Sequence, residues 1–287
     1  MRILLAVDGS EESYQATKTL SQLAHPEQTI LLHVLEVPKP AYPMMMPEVA
    51  SALYTTMERQ MREEGERILH RAAASLPMPA GPISQRLEIG KPAELILSVA
   101  QEQKVDLIVL GARGLGPIRE RLFGSVSHRV LNDAPCPILV VNHARTPLRE
   151  VLLCVEEPYD ADATLRFLGG KPFREAPEVI VLTVVPYSQP PWPADFRAGE
   201  LIQEQLLLGA KDFVEDVAGK LTAAGYKTKA RAVIGVPSLT ILDEVTARRP
   251  DLLMMGSHGR KGVTRLVLGS VSHAILHRMP CPVLLVR

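Results

Sequence analysis

The chain has 287 residues, with 32 Lys plus Arg against 32 Asp plus Glu. At about 100–200 residues per domain, that length suggests two domains, and 46% hydrophobic with 22% charged residues describes a folded chain rather than a disordered one. The zero formal charge argues against a nucleic-acid-binding protein or one adapted to an anionic membrane face.

The first predicted element is a strand, Ile3 to Val7, short, apolar and fit for burial on both faces. Ser10 then stands where it can cap a helix whose Ala16, Leu20, Leu23 and Ala24 recur at helical spacing. Thr29 to Val37 reads as the second strand, Pro38 to Pro47 as a loop, and Glu48 to Ser75 as a second helix. Strand three falls near Gln85 to Ile89, helix three near Ala93 to Gln103, and strand four at Leu107 to Leu110. Helix four opens at about Ser125, and Pro137 to Val141 is the last strand of the set.

The same order then repeats. Asp106-Leu-Ile-Val-Leu-Gly111 returns as Asp251-Leu-Leu-Met-Met-Gly256, Gly124-Ser-Val-Ser-His128 as Gly269-Ser-Val-Ser-His273, and Pro135-Cys-Pro137 as Pro280-Cys-Pro282, all at one offset of 145. Such self-similarity marks duplication of a unit of about 140 residues. The second half has strands near Val151–Val155, Val179–Val185, Lys229–Ile234, Leu252–Met255 and Val283–Val286. The expected fold class is therefore α/β: two tandem doubly wound domains, 1–143 and 147–287, each a five-stranded parallel sheet with helices on both faces. The short join near Asn142 to Pro147 implies that the halves pack together, the simplest arrangement being a pseudo-dimer about an internal twofold axis.

No apolar run reaches the roughly 18–20 residues that cross a bilayer, and Asp8 interrupts the opening run too early for a signal peptide. A cytoplasmic protein without membrane or nucleic-acid partners is expected. Three cysteines, Cys136, Cys154 and Cys281, form no disulfide framework and no metal-ligand spacing, and read as buried thiols.

Ligands of doubly wound sheets bind outside the carboxyl ends of the strands. After strand four comes Gly111-x2-Gly114-x9-Gly124-Ser125-Val126-Ser127, and in the second half Gly256-x2-Gly259-x9-Gly269-Ser270-Val271-Ser272. Glycines permit close backbone approach, and a helix opening at Gly124-Ser125 offers amides and a positive dipole end to a phosphate. The plainer alternative, glycines that turn the chain and a serine that caps a helix, stays open at this point. No G-x4-GK[ST] occurs, and the glycine cluster follows strand four rather than strand one, which disfavours a P-loop and a dinucleotide site.

The opening Ile-Leu-Leu-Ala-Val-Asp8-Gly-Ser10, the strand end Leu32-His33-Val34, Gly90-x-Pro92 and the two glycine–serine blocks together resemble the universal stress protein family, as a tandem pair spanning the whole chain. The resemblance implies an adenine nucleotide α-hydrolase-like fold and binding of ATP; because no carboxylate cluster sits in the motif, Mg²⁺ is expected to arrive on the nucleotide rather than in a protein cage. It assigns Asp8 to the ribose and adenine end, Val34 to the adenine, and Gly111, Gly114, Gly124, Ser125, Val126 and Ser127 to the phosphates, with Gly90 in the same site. Its second-half counterparts are Glu156, Val184, Gly235, Gly256, Gly259, Gly269, Ser270, Val271 and Ser272. There Asp8-Gly-Ser10 becomes Glu156-Glu-Pro158, so the phosphate block carries over more fully than the nucleoside end. The expected function is nucleotide-dependent regulation in stress adaptation with little or slow ATP hydrolysis, no residue being assigned to catalysis, and association of two chains is compatible with it. A nucleotide-free interaction scaffold and a slow ATPase are the other readings.

Overall fold

The chain divides into two units, Met1–Ser21 with His25–Asn142, and Gln22–Ala24 with His143–Arg287. The structure, a computed structural model, describes residues 1–38, 46–77, 81–112, 124–187, 196–256 and 268–287. Unit 1 runs β1 (Arg2–Ala6), α1 (Glu11–Thr19), β2 (Gln28–Leu35), α2 (Pro47–Ala74), β3 (Ile83–Ile89), α3 (Pro92–Glu102), β4 (Leu107–Gly111), α4 (Ser125–Asp133) and β5 (Ile138–Val141). Unit 2 repeats it with β6 (Glu150–Cys154), α5 (Pro158–Gly169), β7 (Glu178–Val185), α6 (Phe196–Ala223), β8 (Lys227–Ile234), α7 (Pro237–Arg248), β9 (Leu252–Gly256), α8 (Ser270–Arg278) and β10 (Val283–Val286).

Within unit 1 the strands pair in the order β3-β2-β1-β4-β5, every pair parallel. Unit 2 has the same order, β8-β7-β6-β9-β10, again all parallel. The winding reverses between β1 and β4 and between β6 and β9, which places a crevice at the carboxyl ends of those pairs. Central strands bury consecutive residues (Ile3 to Leu5, Leu107 to Leu110, Val151 to Cys154), so their apolar runs do not alternate. That is the burial pattern of a sheet covered on both faces. The outer strands β3 and β8 are more exposed and carry charge instead, with Arg86 paired to Glu88 and Glu102, and Arg231 to Glu244. Such charges discourage edge-to-edge association.

Helix starts follow local chemistry. Ser10 caps α1, its hydroxyl accepting from the Ser13 amide, while α2, α3, α5 and α7 each open with proline in the first turn. The ladders run one residue beyond the predicted ends of strand four. Gly111 pairs with Val141 and Gly256 with Val286, because the last strand of each unit extends far enough to receive them. All three cysteines are buried, and burial pushes the Cys281 thiol up to about 12. Among the described residues, no helix is long and apolar enough to cross a membrane.

One packing detail separates the two copies. His33 on β2 is buried, its Nδ1 lying 2.7 Å from the Val7 carbonyl, a contact that only the Nδ1–H tautomer makes as donor. The imidazole finds room because α2 carries Gly65 above it; a Cβ there would come within 2.9 Å of the ring and 2.7 Å of Leu87. The same two positions in unit 2 hold Thr183 and Val214, both buried. Where unit 1 has a large polar ring and a glycine, unit 2 has a smaller side chain and a valine. Gly65→Val is therefore expected to destabilise by about 1–3 kcal/mol through overpacking, and His33→Thr to destabilise as well. Urea unfolding should find the double substitution less damaging than the sum of the singles, by roughly 0.5–3 kcal/mol of coupling.

Candidate functional site

The carboxyl ends of β1 and β4 lie side by side, with Ala6 opposite Leu110. Beyond β1 the chain turns through Gly9, whose φ of +85° favours a residue without a Cβ. Asp8 closes this turn: its Oδ1 accepts from the Ser10 amide (3.0 Å) and from the Ser10 hydroxyl (2.6 Å). Ser10 in turn accepts from the Ser13 amide, and the Ser13 hydroxyl donates to the Ser10 carbonyl (2.8 Å). The carboxylate is thus positioned by the cap of α1, half-buried at the mouth of the crevice.

Beyond β4, Gly111 packs on the first turn of α1. A Cβ on it would stand 2.8 Å from the Ser13 nitrogen and 2.9 Å from the Glu12 carbonyl carbon. The need for glycine at this position is thus a need of the protein's own backbone. Helix α4 begins with Gly124 in extended geometry (φ −73°, ψ 151°), and no side chain caps the turn that follows. Ser125 is exposed, Val126 half-buried and Ser127 buried. The Ser127 hydroxyl donates to the Gly111 carbonyl at 3.2 Å, so the helix opening is fastened to the strand end. Val34 sits half-buried near the end of β2, opposite Glu88, and the Gly90 amide donates to the Leu35 carbonyl. Asp8, Val34, Gly90, Gly111 and Gly124 to Ser127 accordingly occupy one end of one sheet.

Unit 2 assembles the same frame. The Ser272 hydroxyl donates to the Gly256 carbonyl at 3.2 Å, α8 opens with extended Gly269 and no side-chain cap, and Ser270 is exposed with Val271 half-buried. Val184 is half-buried, and the Gly235 amide donates to the Val185 carbonyl. The turn after β6 differs. Glu156 is exposed, and Glu157, at φ −134°, provides no side-chain cap for α5. Gly114 and Gly259 lie outside the described residues.

Two features of this end of the molecule escaped sequence reading. One is the His33 anchor on Val7, the residue before Asp8. The other is Asp160 in the first turn of α5, with only 7% of its surface exposed and its carboxyl packed against Gly256. Among the described residues no hydrogen bond or ion pair reaches that carboxyl. Its signal was present in the spacing: Asp160 and Thr164 fall on the same inward stripe as Ala161 and Leu168.

A sequence profile of the universal stress protein family matches residues 1–142 and again 147–287. The chain belongs to the universal stress protein family. A curated universal stress protein of Mycolicibacterium smegmatis is 26% identical, covering 99% of this chain and 96% of its own length. One from Thermus aquaticus is 37% identical over 48% of this chain and 96% of its own, as expected for a relative of single-repeat length. A universal stress protein structure from Archaeoglobus fulgidus superposes with a TM-score of 0.64 at 20% identity, covering 99% of this chain and 95% of that one. That likeness establishes the tandem fold.

In this universal stress protein the Asp160 carboxyl is pushed up to about 7, by burial first and then by the neighbouring charges of Glu156 and Glu157. An ordinary aspartate titrates near 3.8. The folded chain therefore holds a proton that the unfolded chain releases between about pH 4 and pH 7, so stability falls as pH rises through that window and is level above it. Asp160→Asn removes the titration. The variant is expected to exceed the wild type by about 1–3 kcal/mol at pH 8, with the difference shrinking toward pH 4.5. Urea unfolding at the two pH values measures it.

Proposed function

We propose that the protein binds ATP as a regulatory ligand, primarily through unit 1, and turns it over slowly or not at all. The observation that carries the reading is the uncapped turn at Ser125 to Ser127, held at the end of β4 by the Ser127–Gly111 bond. Backbone amides at a helix start are ready partners for phosphate oxygens, and the helix dipole favours the charge. The exposed Ser125 hydroxyl adds a neutral donor on the same turn.

The nucleoside end of the proposal uses Asp8 and Val34. A carboxylate is an acceptor suited to a ribose hydroxyl, and a half-buried valine offers an apolar surface to a purine. Gly90 follows β3, its amide bonded to the Leu35 carbonyl at the end of β2, and a Cβ on it would stand 2.9 Å from the Leu95 side chain. Gly111 supports the site indirectly, by letting α1 close on β4. A divalent cation would enter with the triphosphate, neutralising part of its charge.

The asymmetry between the units follows from charge and turn geometry. Unit 2 keeps the glycine–serine turn at Gly269 to Ser272, with Gly256 and Gly235 in place. It also brings the Asp160 carboxyl against Gly256, where unit 1 has the backbone of Glu12 and Ser13. Above about pH 7 that carboxyl adds negative charge beside a phosphate position. Unit 2 is accordingly the weaker site.

Denaturing the purified protein and chromatographing the supernatant is expected to release ATP or ADP. In calorimetric titrations, Asp8→Ala and Gly124→Val should each weaken ATP binding by roughly 10-fold or more, about 1.4 kcal/mol, whereas Glu156→Ala should change it little. Gly124 has a backbone that any residue adopts, so valine there crowds the cradle without straining the chain. Loss of ATP only in Glu156→Ala would assign the site to unit 2. Neither co-purified nucleotide nor a titration signal would favour the interaction scaffold.

A further inference from the structure

Helix α8 carries two exposed histidines one turn apart, His273 and His277. Their rings stack obliquely, centroids 4.3 Å apart and planes at 53°, with the two Nε2 atoms 3.2 Å from each other. Residues four apart share one helix face. The two Nε2 atoms are thus close enough for a single atom to reach both once each ring carries its proton on Nδ1.

We propose that His273 and His277 form a bidentate site for a late first-row divalent cation such as Ni²⁺, Zn²⁺ or Cu²⁺. Metal–imidazole bonds of 2.0–2.1 Å put the two nitrogens about 3.3–3.4 Å apart at a tetrahedral angle and about 2.9 Å apart at a right angle. The observed 3.2 Å falls between these two limits. Without a metal the same distance serves a hydrogen bond, one ring donating Nε2–H and the other accepting. With a metal both rings adopt the Nδ1–H tautomer and present Nε2 as ligand, so the exchange needs a proton shift within one ring and no backbone movement. Among the described residues no set of three or more His, Cys, Asp or Glu side chains gathers at a metal-binding distance. The described residues thus offer the pair alone, and water is a ready ligand for further positions of a surface-bound cation.

Imidazole donors select the metal class. Copper, nickel and zinc suit nitrogen ligands, whereas Mg²⁺ and Ca²⁺ prefer oxygen donors. The site is thus distinct from any Mg²⁺ carried by a nucleotide. It lies on the outward face of α8, while Ser272 on the same helix points inward to the Gly256 carbonyl. Unit 1 supplies an internal comparison. At the corresponding positions of α4 it has His128 and Asn132, their Nδ1 and Nδ2 atoms 3.3 Å apart. That pair lacks the second imidazole nitrogen on which the α8 site depends.

The test is calorimetric titration of the EDTA-treated full chain with NiCl2, in buffer containing millimolar MgCl2. The wild type should take up one Ni²⁺ per chain ahead of any weaker binding. His273→Ala and His277→Asn should each weaken that uptake by roughly 10- to 100-fold, because the second ligand of a chelate binds at high effective concentration. Asn132→His, which completes the pair on α4, should add a second equivalent. Identical titrations of the wild type and His277→Asn, with circular dichroism showing both folded, overturn the proposal, as does displacement of bound Ni²⁺ by Mg²⁺.

Discussion

A serine hydroxyl donated to the carbonyl of a strand-terminal glycine recurs in both units, Ser127 to Gly111 and Ser272 to Gly256, each at 3.2 Å. A carbonyl at the end of a parallel strand needs a donor, and in each unit the first turn of the next helix provides it. That bond fixes where the helix begins relative to the sheet. It therefore sets the position of the uncapped amides that precede it in the chain. The glycine is equally constrained, because a side chain on Gly111 would collide with the first turn of α1. Strand end, helix opening and neighbouring helix are one mechanical unit.

Duplication leaves that unit intact and lets its surroundings diverge. In the first copy Asp8, Gly9, Ser10 and Ser13 form a closed hydrogen-bonded turn that caps α1. In the second copy proline begins the helix, the preceding Glu157 provides no cap, and Asp160 is buried without a partner among the described residues. The interior shows the same drift, with His33 beneath Gly65 in one copy and Thr183 and Val214 at the equivalent places in the other. Each divergence exchanges local polar satisfaction for apolar volume or a buried carboxyl, and the Asp8 and Asp160 turns lie at the strand ends of their units.

Exposed positions diverged under weaker constraint. On the outer face of the last helix, Asn132 in one unit is His277 in the other, a change that disturbs no buried contact. Surface exchange of this kind costs little stability, so new chemistry can arise there while the buried serine on the same helix stays in place.

The sequence alone determined the duplication, the order of strands and helices, and the end of the sheet to which Asp8, Val34 and the glycine–serine blocks belong. These are properties of periodicity and spacing: apolar runs near the length of a strand, a serine where a helix can start, and an offset of 145 that aligns three motifs. The universal stress protein resemblance rested on the same residues, and the family profile matches both halves. Only the tertiary structure decided which partner each side chain has. Nothing local to Gly111 indicates that its missing Cβ admits α1 rather than a ligand. The Ser127 hydroxyl could equally have faced solvent, and Asp160 was an acid in an otherwise ordinary first turn. Periodicity reports which face of an element is inward, because that depends on near neighbours in the chain. Hydrogen-bond partners, the Nε2 convergence of His273 and His277, and the rise of the Asp160 pKa depend on close approaches that folding alone brings about.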